Sequence, residues 1–297
     1  MTRTLMITGA TGSVSSALIE ALAGAQVKLR ALVRNVERAS RLRERGIELV
    51  EGDLDDPASL EGKLDGVQDL WLLTAVGPRA PENSMNGLWA ARRAGVERVV
   101  RMSAIGAAHD APTRNGRLHA LSDAELASSG LRYTVVKPHY FMQNLLYAAE
   151  GVARDGVFYQ DMGHARLGMI DVRDIGEFAA KVLLDASGRH DGKTYTLTGP
   201  ESVSFETVAE RLSETLGRAV RYQPVTHEAL RASLLGLGFP KWLSDMMIEY
   251  GTAYGNGWGD FTTDAFASVV GRPPRGIAEF VRDHAQAFRG AAGSTAA

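Results

Sequence analysis

The sequence predicts an α/β fold of the Rossmann type, a doubly wound parallel sheet with a smaller, mainly helical C-terminal substrate lobe. Three observations lead there. Short apolar runs alternate with helical patterns through the first half, as βαβ units do. A glycine-rich turn, Gly9-Ala-Thr-Gly12, stands directly between the first strand and the first helix. The run Leu70-Trp-Leu-Leu-Thr74 is continuously apolar up to its last residue, as a strand buried on both faces requires.

Taken in order, Thr4–Thr8 reads as the first strand and Val14–Ala23 as the first helix. Val27–Val33 is the second strand, followed by a charged helix over Val36–Glu44. Ile47–Val50 is the third strand, ending at Gly52-Asp53, and Ala58–Leu64 is a short helix. After the buried fourth strand come a helix over Glu82–Ala94, a fifth strand over Arg98–Ser103 and a helix over Gly116–Ser129. Leu131–Lys137 is the sixth strand, stopped by Pro138. Beyond it the pattern changes. Val172–Ala186 and Ser204–Leu216 read as amphipathic helices flanking a short strand at Thr194–Thr198. Glu228–Tyr254 is long, apolar and rich in Leu, Met and aromatics, and Gly251–Gly259 reads as a glycine-rich, aromatic flap. Residues 1–150 are expected to form the dinucleotide-binding core and 151–290 a mixed, interleaved substrate lobe, with 291–297 a small, polar, disordered tail.

Bulk properties exclude several classes. With 297 residues, 45% hydrophobic and 23% charged, the chain has an ordinary globular composition, and a large core is available to it. A formal net charge of -2 gives no support to nucleic-acid or membrane-surface binding. The absence of cysteine removes disulfides, thiolate nucleophiles and cysteine metal sites, and fits a reducing compartment. No apolar run is long enough to span a bilayer. The opening Met1-Thr-Arg-Thr-Leu-Met-Ile leads straight into a strand, so no signal peptide is expected and the cytoplasm is the expected compartment.

The glycine turn carries the strongest chemistry. Gly9 permits the tight strand-to-helix turn, and Gly12 lets backbone approach a pyrophosphate, which then rests on the unpaired N–H groups and positive dipole of the helix N-terminus. Shaping a turn is the competing role. The third position of the pattern is Ser15, where a glycine usually allows close helix–strand packing, so the helix is expected to sit slightly further out. At the end of the second strand an NAD site usually carries an acid for the ribose 2′-hydroxyl; here Val33-Arg34-Asn35 stands instead. A guanidinium suits a 2′-phosphate and offers a hydroxyl no acceptor, so NADP(H) is expected to be preferred, with NAD(H) left open. The alternative is a solvated arginine in a segment that also holds Arg38, Arg41 and Arg43. Asp53 is placed either to accept from the adenine amino group or to cap the next helix.

Together these residues resemble the NmrA-like branch of the atypical short-chain dehydrogenases/reductases, over nearly the whole chain. The resemblance rests on Gly9–Gly12, Leu32–Asn35, Glu51–Asp53, Arg101–Gly106, His119–Gly130, Lys137–Asn144, Ile170–Asp174 and Gly271–Arg275. That branch includes NADPH-dependent quinone and triphenylmethane-dye reductases and also dinucleotide-binding regulators that catalyse nothing, so it implies the fold more firmly than the activity. The cofactor site is then expected to comprise Gly9, Thr11, Gly12, Ser13, Val14, Arg34, Asn35, Asp53, Leu54, Thr74, Ala75, Ser103, Pro138 and Phe141.

Most short-chain reductases use Tyr-x-x-x-Lys on a helix, the tyrosine moving the proton and the lysine lowering its pKa. Tyr133 and Lys137 match by letter, but in a strand that spacing separates side chains by about 13 Å, against roughly 5–6 Å on a helix. Tyr133 therefore reads as a core residue. The helix that should carry the pair offers His119 and Asp123, four apart on one face, so the carboxylate could hold the imidazole and raise its pKa. A helix-terminal pair without chemistry is the alternative. Ser103 lies where the family's catalytic serine would, and in this branch its role could be limited to the cofactor.

The loss of Tyr/Lys narrows the chemistry. An ordinary ketone needs a strong proton donor beside the developing alkoxide. A quinone or a cationic dye takes hydride into a conjugated system, and asks chiefly to be bound and oriented. Pro138-His-Tyr-Phe-Met142 leaves the sixth strand at the crevice where doubly wound sheets bind ligands. It offers His139 to the substrate and Tyr140, with His119, as a catalytic candidate. Trp242, Met246 and Tyr250, with Met247, Tyr254 and Trp258, could wall an apolar pocket, or simply pack the lobe. The expected partner is a small aromatic substrate, with a homodimer left open. The resemblance extends to proteins that tailor aromatic polyketides, so a redox or oxygenation step on such a polycycle is a close variant. The alternative is a non-catalytic redox sensor acting through a protein partner. No metal is expected, because the seven histidines form no ligand-spaced cluster.

Overall fold

The computed structural model describes residues 2–290, so the tail expected over 291–297 lies outside the described residues. The chain divides into two compact units. The first runs through Pro138 and resumes over Arg173–Thr196; the second holds His139–Val172 and the chain from Leu197 onward. The division falls at Pro138 rather than at residue 150, and the chain returns once to the first unit.

The first unit begins with β1 (Arg3–Ile7), α1 (Ser13–Ala21), β2 (Val27–Val33), α2 (Ser40–Glu44) and β3 (Glu48–Glu51). It continues through β4 (Asp69–Leu72), α3 (Ala80–Arg93), β5 (Arg98–Met102), α4 (Arg114–Ser128) and β6 (Arg132–Pro138). After α5 (Ala149–Asp155), β7 (Val157–Gln160) and β8 (Arg166–Leu167) of the second unit, α6 (Val172–Leu184) and β9 (Lys193–Leu197) return to the sheet. The strand order is β3-β2-β1-β4-β5-β6-β9, with parallel pairing from β3 to β6. Order reverses between β1 and β4, which are paired through Ile7 and Trp71. A crevice outside the C-terminal strand ends at such a reversal is the usual ligand position in doubly wound sheets.

The continuous apolar strands are buried as their sequence requires. Met6, Leu70, Leu72, Val99 and Val135 from the sheet pack with Leu88 and Ala91 of α3 and Leu126 of α4. Tyr133 packs half-buried against the same cluster, as a core strand residue. A buried ion pair lies in this sheet: the Asp69 carboxylate accepts from Arg98 Nε at 2.8 Å and also from Arg3 Nε at 2.7 Å. Burying the carboxylate alone would cost several kcal/mol.

The second unit adds β10 (Val203–Ser204), α7 (Phe205–Leu216), β11 (Arg221–Pro224), α8 (His227–Gly236), α9 (Lys241–Gly255), α10 (Ala265–Val270), α11 (Ile277–Asp283) and α12 (Ala285–Arg289). β7 pairs with β11 in parallel and β8 with β10 antiparallel. Its core gathers Phe158, Phe205, Val208, Leu212, Phe280 and Phe288. The long apolar stretch Glu228–Tyr254 is two helices, because Gly238-Phe239-Pro240 interrupts it. The expected flap is largely the end of α9, followed by a turn in which Gly257 N donates to Tyr254 O at 2.9 Å and Trp258 N to Ala253 O at 3.1 Å. Among the described residues no helix is long and apolar enough to cross a membrane.

Candidate functional site

Between β1 and α1 the backbone does what the glycines foretell. Gly9 has φ +59°, and a Cβ there would stand 2.7 Å from Leu73 Cδ2 and 3.3 Å from Leu73 O at the end of β4. Gly12 is the N-cap of α1, and no side chain caps or acidifies its first turn. The N-terminal N–H groups and the positive end of the dipole are thus left without a protein anion, which is the arrangement that suits a pyrophosphate. Thr11 and Ser13 are exposed beside the turn, while Val14 is buried beneath it.

Ser15 does not push the helix outward. It is fully buried, its hydroxyl donating to Thr8 O at 3.1 Å and accepting from Trp71 Nε1 at 3.0 Å. The small side chain is used as a polar bolt between β1, β4 and α1. Close packing on α1 is supplied by Gly176 of α6, where a Cβ would lie 2.5 Å from Ala17 C.

Arg34 and Asn35 follow β2 and are exposed, Asn35 Oδ1 accepting from Arg38 N at 2.8 Å. Gly52 N bonds Val33 O at 3.0 Å, so the ends of β2 and β3 lie side by side and Asp53 emerges next to the Arg34 segment. Asp53 caps no helix: its Oδ1 accepts from Asp55 N at 3.0 Å, and Asp56 caps the following 3-10 turn. Leu54 and Thr74 are half-buried and Ala75 exposed, Thr74 and Ala75 just past β4. Pro138 closes β6, its carbonyl taking Ile105 N at 3.1 Å, whereas Phe141 belongs to the second unit.

The pair expected on α4 is replaced by a larger network. Asp123 accepts from Arg101 Nη1, from Ser103 Oγ at 2.8 Å, and lies 3.3 Å from Lys137 Nζ. Arg101 Nη2 also donates to His119 Nδ1 at 3.1 Å, since a guanidinium cannot accept. The expected His119–Asp123 bond is therefore absent. An arginine that is charged at every relevant pH takes the carboxylate, and the imidazole is left as an acceptor. Burial first, then the charges of Arg101 and Lys137, push His119 down to about 3, the reverse of the rise expected from an acid neighbour. It stays neutral in the physiological range. Ser103 is 1% exposed and commits its hydroxyl to Asp123. Arg101 and Lys137 were missed as site residues. The signal was present: Arg98-Val-Val-Arg101 places two cations in a buried strand, and each needs an anion.

Two residues of the second unit also depart from expectation. His139 is not free for a substrate: it is 1% exposed, Nδ1 accepts from Tyr140 N at 2.7 Å, and Nε2 donates to Gly259 O at 3.0 Å. It stacks on Tyr254 at 5.7 Å and meets Phe261 edge-on at 5.3 Å, and burial lowers it to about 4. Tyr140 packs edge-on against Phe205 at 6.2 Å and Tyr254 at 6.1 Å. Burial raises its phenol, only partly offset by a hydrogen bond with Asn144, so it is a weaker acid than a free tyrosine. On α9, Tyr250 stacks with Tyr254 at 5.6 Å and lies 6.2 Å from Trp258; Trp242 is half-buried and Met246 is buried. A cleft of about 560 Å³ in this unit is lined by Asp161, His164, Arg166, His227, Thr252 and Asn256 among others, and not by Trp242, Met246, Tyr250 or His139. Among the described residues no group of three or more His, Asp or Glu is placed to hold a metal.

A seven-stranded Rossmann-type sheet with an open, glycine-lined helix N-terminus defines a dinucleotide-binding protein of the short-chain reductase type. The chain belongs to the NmrA-like family, whose model matches residues 1–257. It is 35% identical over 284 residues to the NAD(P)H azoreductase of Xenophilus azovorans, covering 96% of this chain and 99% of that protein. It is 31% identical over 283 residues to quinone oxidoreductase 2 of Escherichia coli, covering 93% of this chain and 97% of that protein. The crystal structure of the NADPH-dependent quinone oxidoreductase QOR2 from Escherichia coli, complexed with NADPH, superposes with a TM-score of 0.85 at 28% identity, over 95% of this chain and 100% of that one.

Proposed function

We propose that this NAD(P)H-dependent oxidoreductase passes hydride from NADPH, or less readily from NADH, to a flat, conjugated, quinone-like aromatic. The observation that carries the reading is the network on α4. The positions that hold the Tyr/Lys proton relay in other short-chain reductases are filled by a neutral imidazole and a carboxylate saturated by Arg101, Ser103 and Lys137. No strong acid stands there to meet an alkoxide, which disfavours simple ketones. A conjugated acceptor spreads the incoming charge over its rings and tolerates that loss. The likeness to an azoreductase and a quinone oxidoreductase along nearly the whole chain supports acceptors of this kind.

In this reading Gly9, Gly12 and the first turn of α1 cradle the pyrophosphate, and Thr11, Ser13 and Val14 border it. Arg34, with Asn35, takes the 2′-phosphate. Asp53, with Leu54, receives the adenine, while Thr74, Ala75, Pro138 and Phe141 are assigned to the nicotinamide half. Trp242 and Tyr250 supply aromatic faces to the substrate. A tailoring redox or oxygenation step on an aromatic polyketide is the finer form of the same proposal, in a cytoplasmic enzyme.

Steady-state oxidation of NADPH and NADH with a naphthoquinone, in wild type and Arg34→Ala, tests both halves. Wild type is expected to turn over with both dinucleotides and to favour NADPH. Arg34→Ala should weaken NADPH by roughly tenfold or more, on the scale of one charge-assisted contact, and spare NADH. Equal losses would remove Arg34 from the 2′-phosphate. Tight binding of dinucleotide without turnover would turn the reading toward a sensor.

A further inference from the structure

The carboxylate on α4 is faced by more positive charge than it can cancel. Arg101 and Lys137 both stand on Asp123, while the other members of the network, Ser103 and His119, carry no charge. Arg101 is sealed in: it is 1% exposed, with Nη1 on Asp123, Nη2 on His119 and Nε 3.4 Å from Ser84 Oγ. Ser103, expected beside the cofactor, is equally buried and spends its hydroxyl on Asp123. Lys137 is on the open side, its side chain 17% exposed and that of Asp123 15%. Its ammonium donates to Ala107 O at 2.8 Å, shortly after β5, and lies 3.3 Å from Asp123 Oδ2. An ammonium has three donors, so with both contacts made it still has one to give.

This ammonium lies on the same sheet edge as the glycine turn, within the first unit. A Cβ on Gly9 would stand 3.3 Å from Leu73 O, so the turn abuts the end of β4. Leu72 of β4 pairs with Arg101 of β5, and Ser103 N donates to Val136 O at 2.7 Å, one residue before Lys137. The strands are parallel, so Gly9, Leu73, Ser103 and Lys137 follow one another along the C-terminal edge. The Lys137 side chain reaches the carboxylate that also holds Ser103. That sets the ammonium near the end of β5, two strand spacings or about 10 Å from the turn. Arg34 and Asp53 lie the opposite way, past the ends of β2 and β3. A dinucleotide with its pyrophosphate on the turn and its adenosine toward β2 and β3 lays its other half toward β4 and β5.

We infer that Lys137 is a cofactor-binding residue, its ammonium donating to the hydroxyl oxygens of the nicotinamide ribose. The inference rests on the dinucleotide reading above and adds a residue that its assignments omit. Arg101 is what frees the lysine. By taking Asp123 Oδ1, Arg101 offsets the carboxylate, and the charge of Lys137 is left for a ligand. An ammonium with a carboxylate of its own would have little to offer. Ribose hydroxyls are neutral acceptors that suit a charged donor in a mostly buried place.

Two ligands separate this role from a structural one. NADPH carries the nicotinamide ribose; 2′,5′-ADP carries the adenosine with its 2′- and 5′-phosphates and lacks that ribose. In titration calorimetry on the full-length protein, Lys137→Gln is expected to weaken NADPH by about tenfold or more, the scale of one hydrogen bond from a charged donor. The same variant should hold 2′,5′-ADP within about twofold of wild type. Should Lys137→Gln fail to fold, the same two titrations in Lys137→Met, which keeps the aliphatic stem, decide. Equal weakening of both ligands, or an unchanged NADPH affinity, would overturn the ribose role while leaving the dinucleotide reading intact. Wild type that binds neither ligand would remove that reading, and this inference with it.

Discussion

Gly9→Val is expected to remove measurable dinucleotide binding. The residue sits at φ +59°, a conformation that costs an ordinary L-residue about 1–2 kcal/mol and a β-branched one more. Relief is blocked on the far side as well. A Cβ would lie 2.7 Å from Leu73 Cδ2 and 3.3 Å from the Leu73 carbonyl, and backbone cannot yield as a side-chain tip can. The turn must therefore open, and the first N–H groups of α1 swing out of line with the phosphate. Hydrogen bonds to a charged group contribute about 1.5–3 kcal/mol each, so losing two lowers affinity by roughly a hundredfold or more. Titration calorimetry with NADPH, run beside thermal unfolding, separates the binding loss from the strain. Affinity within about threefold of wild type in a folded variant would remove the pyrophosphate from this turn.

Asp123→Ala is expected to destabilise the protein by about 3–5 kcal/mol, the range for breaking a buried ion pair from one side. Arg101 is 1% exposed, and Lys137 stands on the same carboxylate. Without Asp123 Arg101 and Lys137 lose the anion they share, and Arg101 keeps only the neutral acceptors His119 and Ser84. Urea unfolding measures the loss. Asp123→Asn should lose less, because the amide oxygen still accepts from Arg101 or Ser103. A loss below about 1 kcal/mol, the scale of a solvated pair, would show that water reaches the network and would weaken the argument that this position has been closed to proton transfer.

Much of the first unit was legible because its signals are local. The strands read at Val27–Val33, Arg98–Ser103 and Leu131–Lys137 match β2, β5 and β6 to within a residue at each end, since apolar runs there are bounded by polar residues, glycine or proline. The glycine turn was legible for the same reason: Gly9 and Gly12 matter through their own backbone. The second unit was read less well. β7, β8, β10 and β11 have four residues or fewer each, too short to display a period. Glu228–Tyr254 was legible only as an apolar, aromatic-rich stretch, although Gly238 and Pro240 mark the α8–α9 break.

The site was harder, since its chemistry depends on distant partners. His119 and Asp123 have helical spacing, yet which of them meets which depends on Arg101, eighteen residues before His119 in the chain and one strand away in space. His139 looked like a loop residue aimed at a ligand and is instead sealed by Gly259, 120 residues later. Lys137 lies in β6 and Asp123 on α4, and no spacing rule links them. Position in a strand can be inferred from neighbours; the direction of a proton cannot.

The central claim is direct hydride transfer from NADPH to a conjugated acceptor, and the most direct test follows the hydrogen itself. NADPH carrying deuterium at nicotinamide C4 is incubated anaerobically with the enzyme and a cationic triarylmethane dye, whose reduced central carbon does not exchange with water. The account predicts a leuco product deuterated at that carbon from one of the two C4 epimers of the labelled cofactor and not from the other. Dinucleotide that binds while the dye stays oxidised, or a leuco product without label, would contradict it.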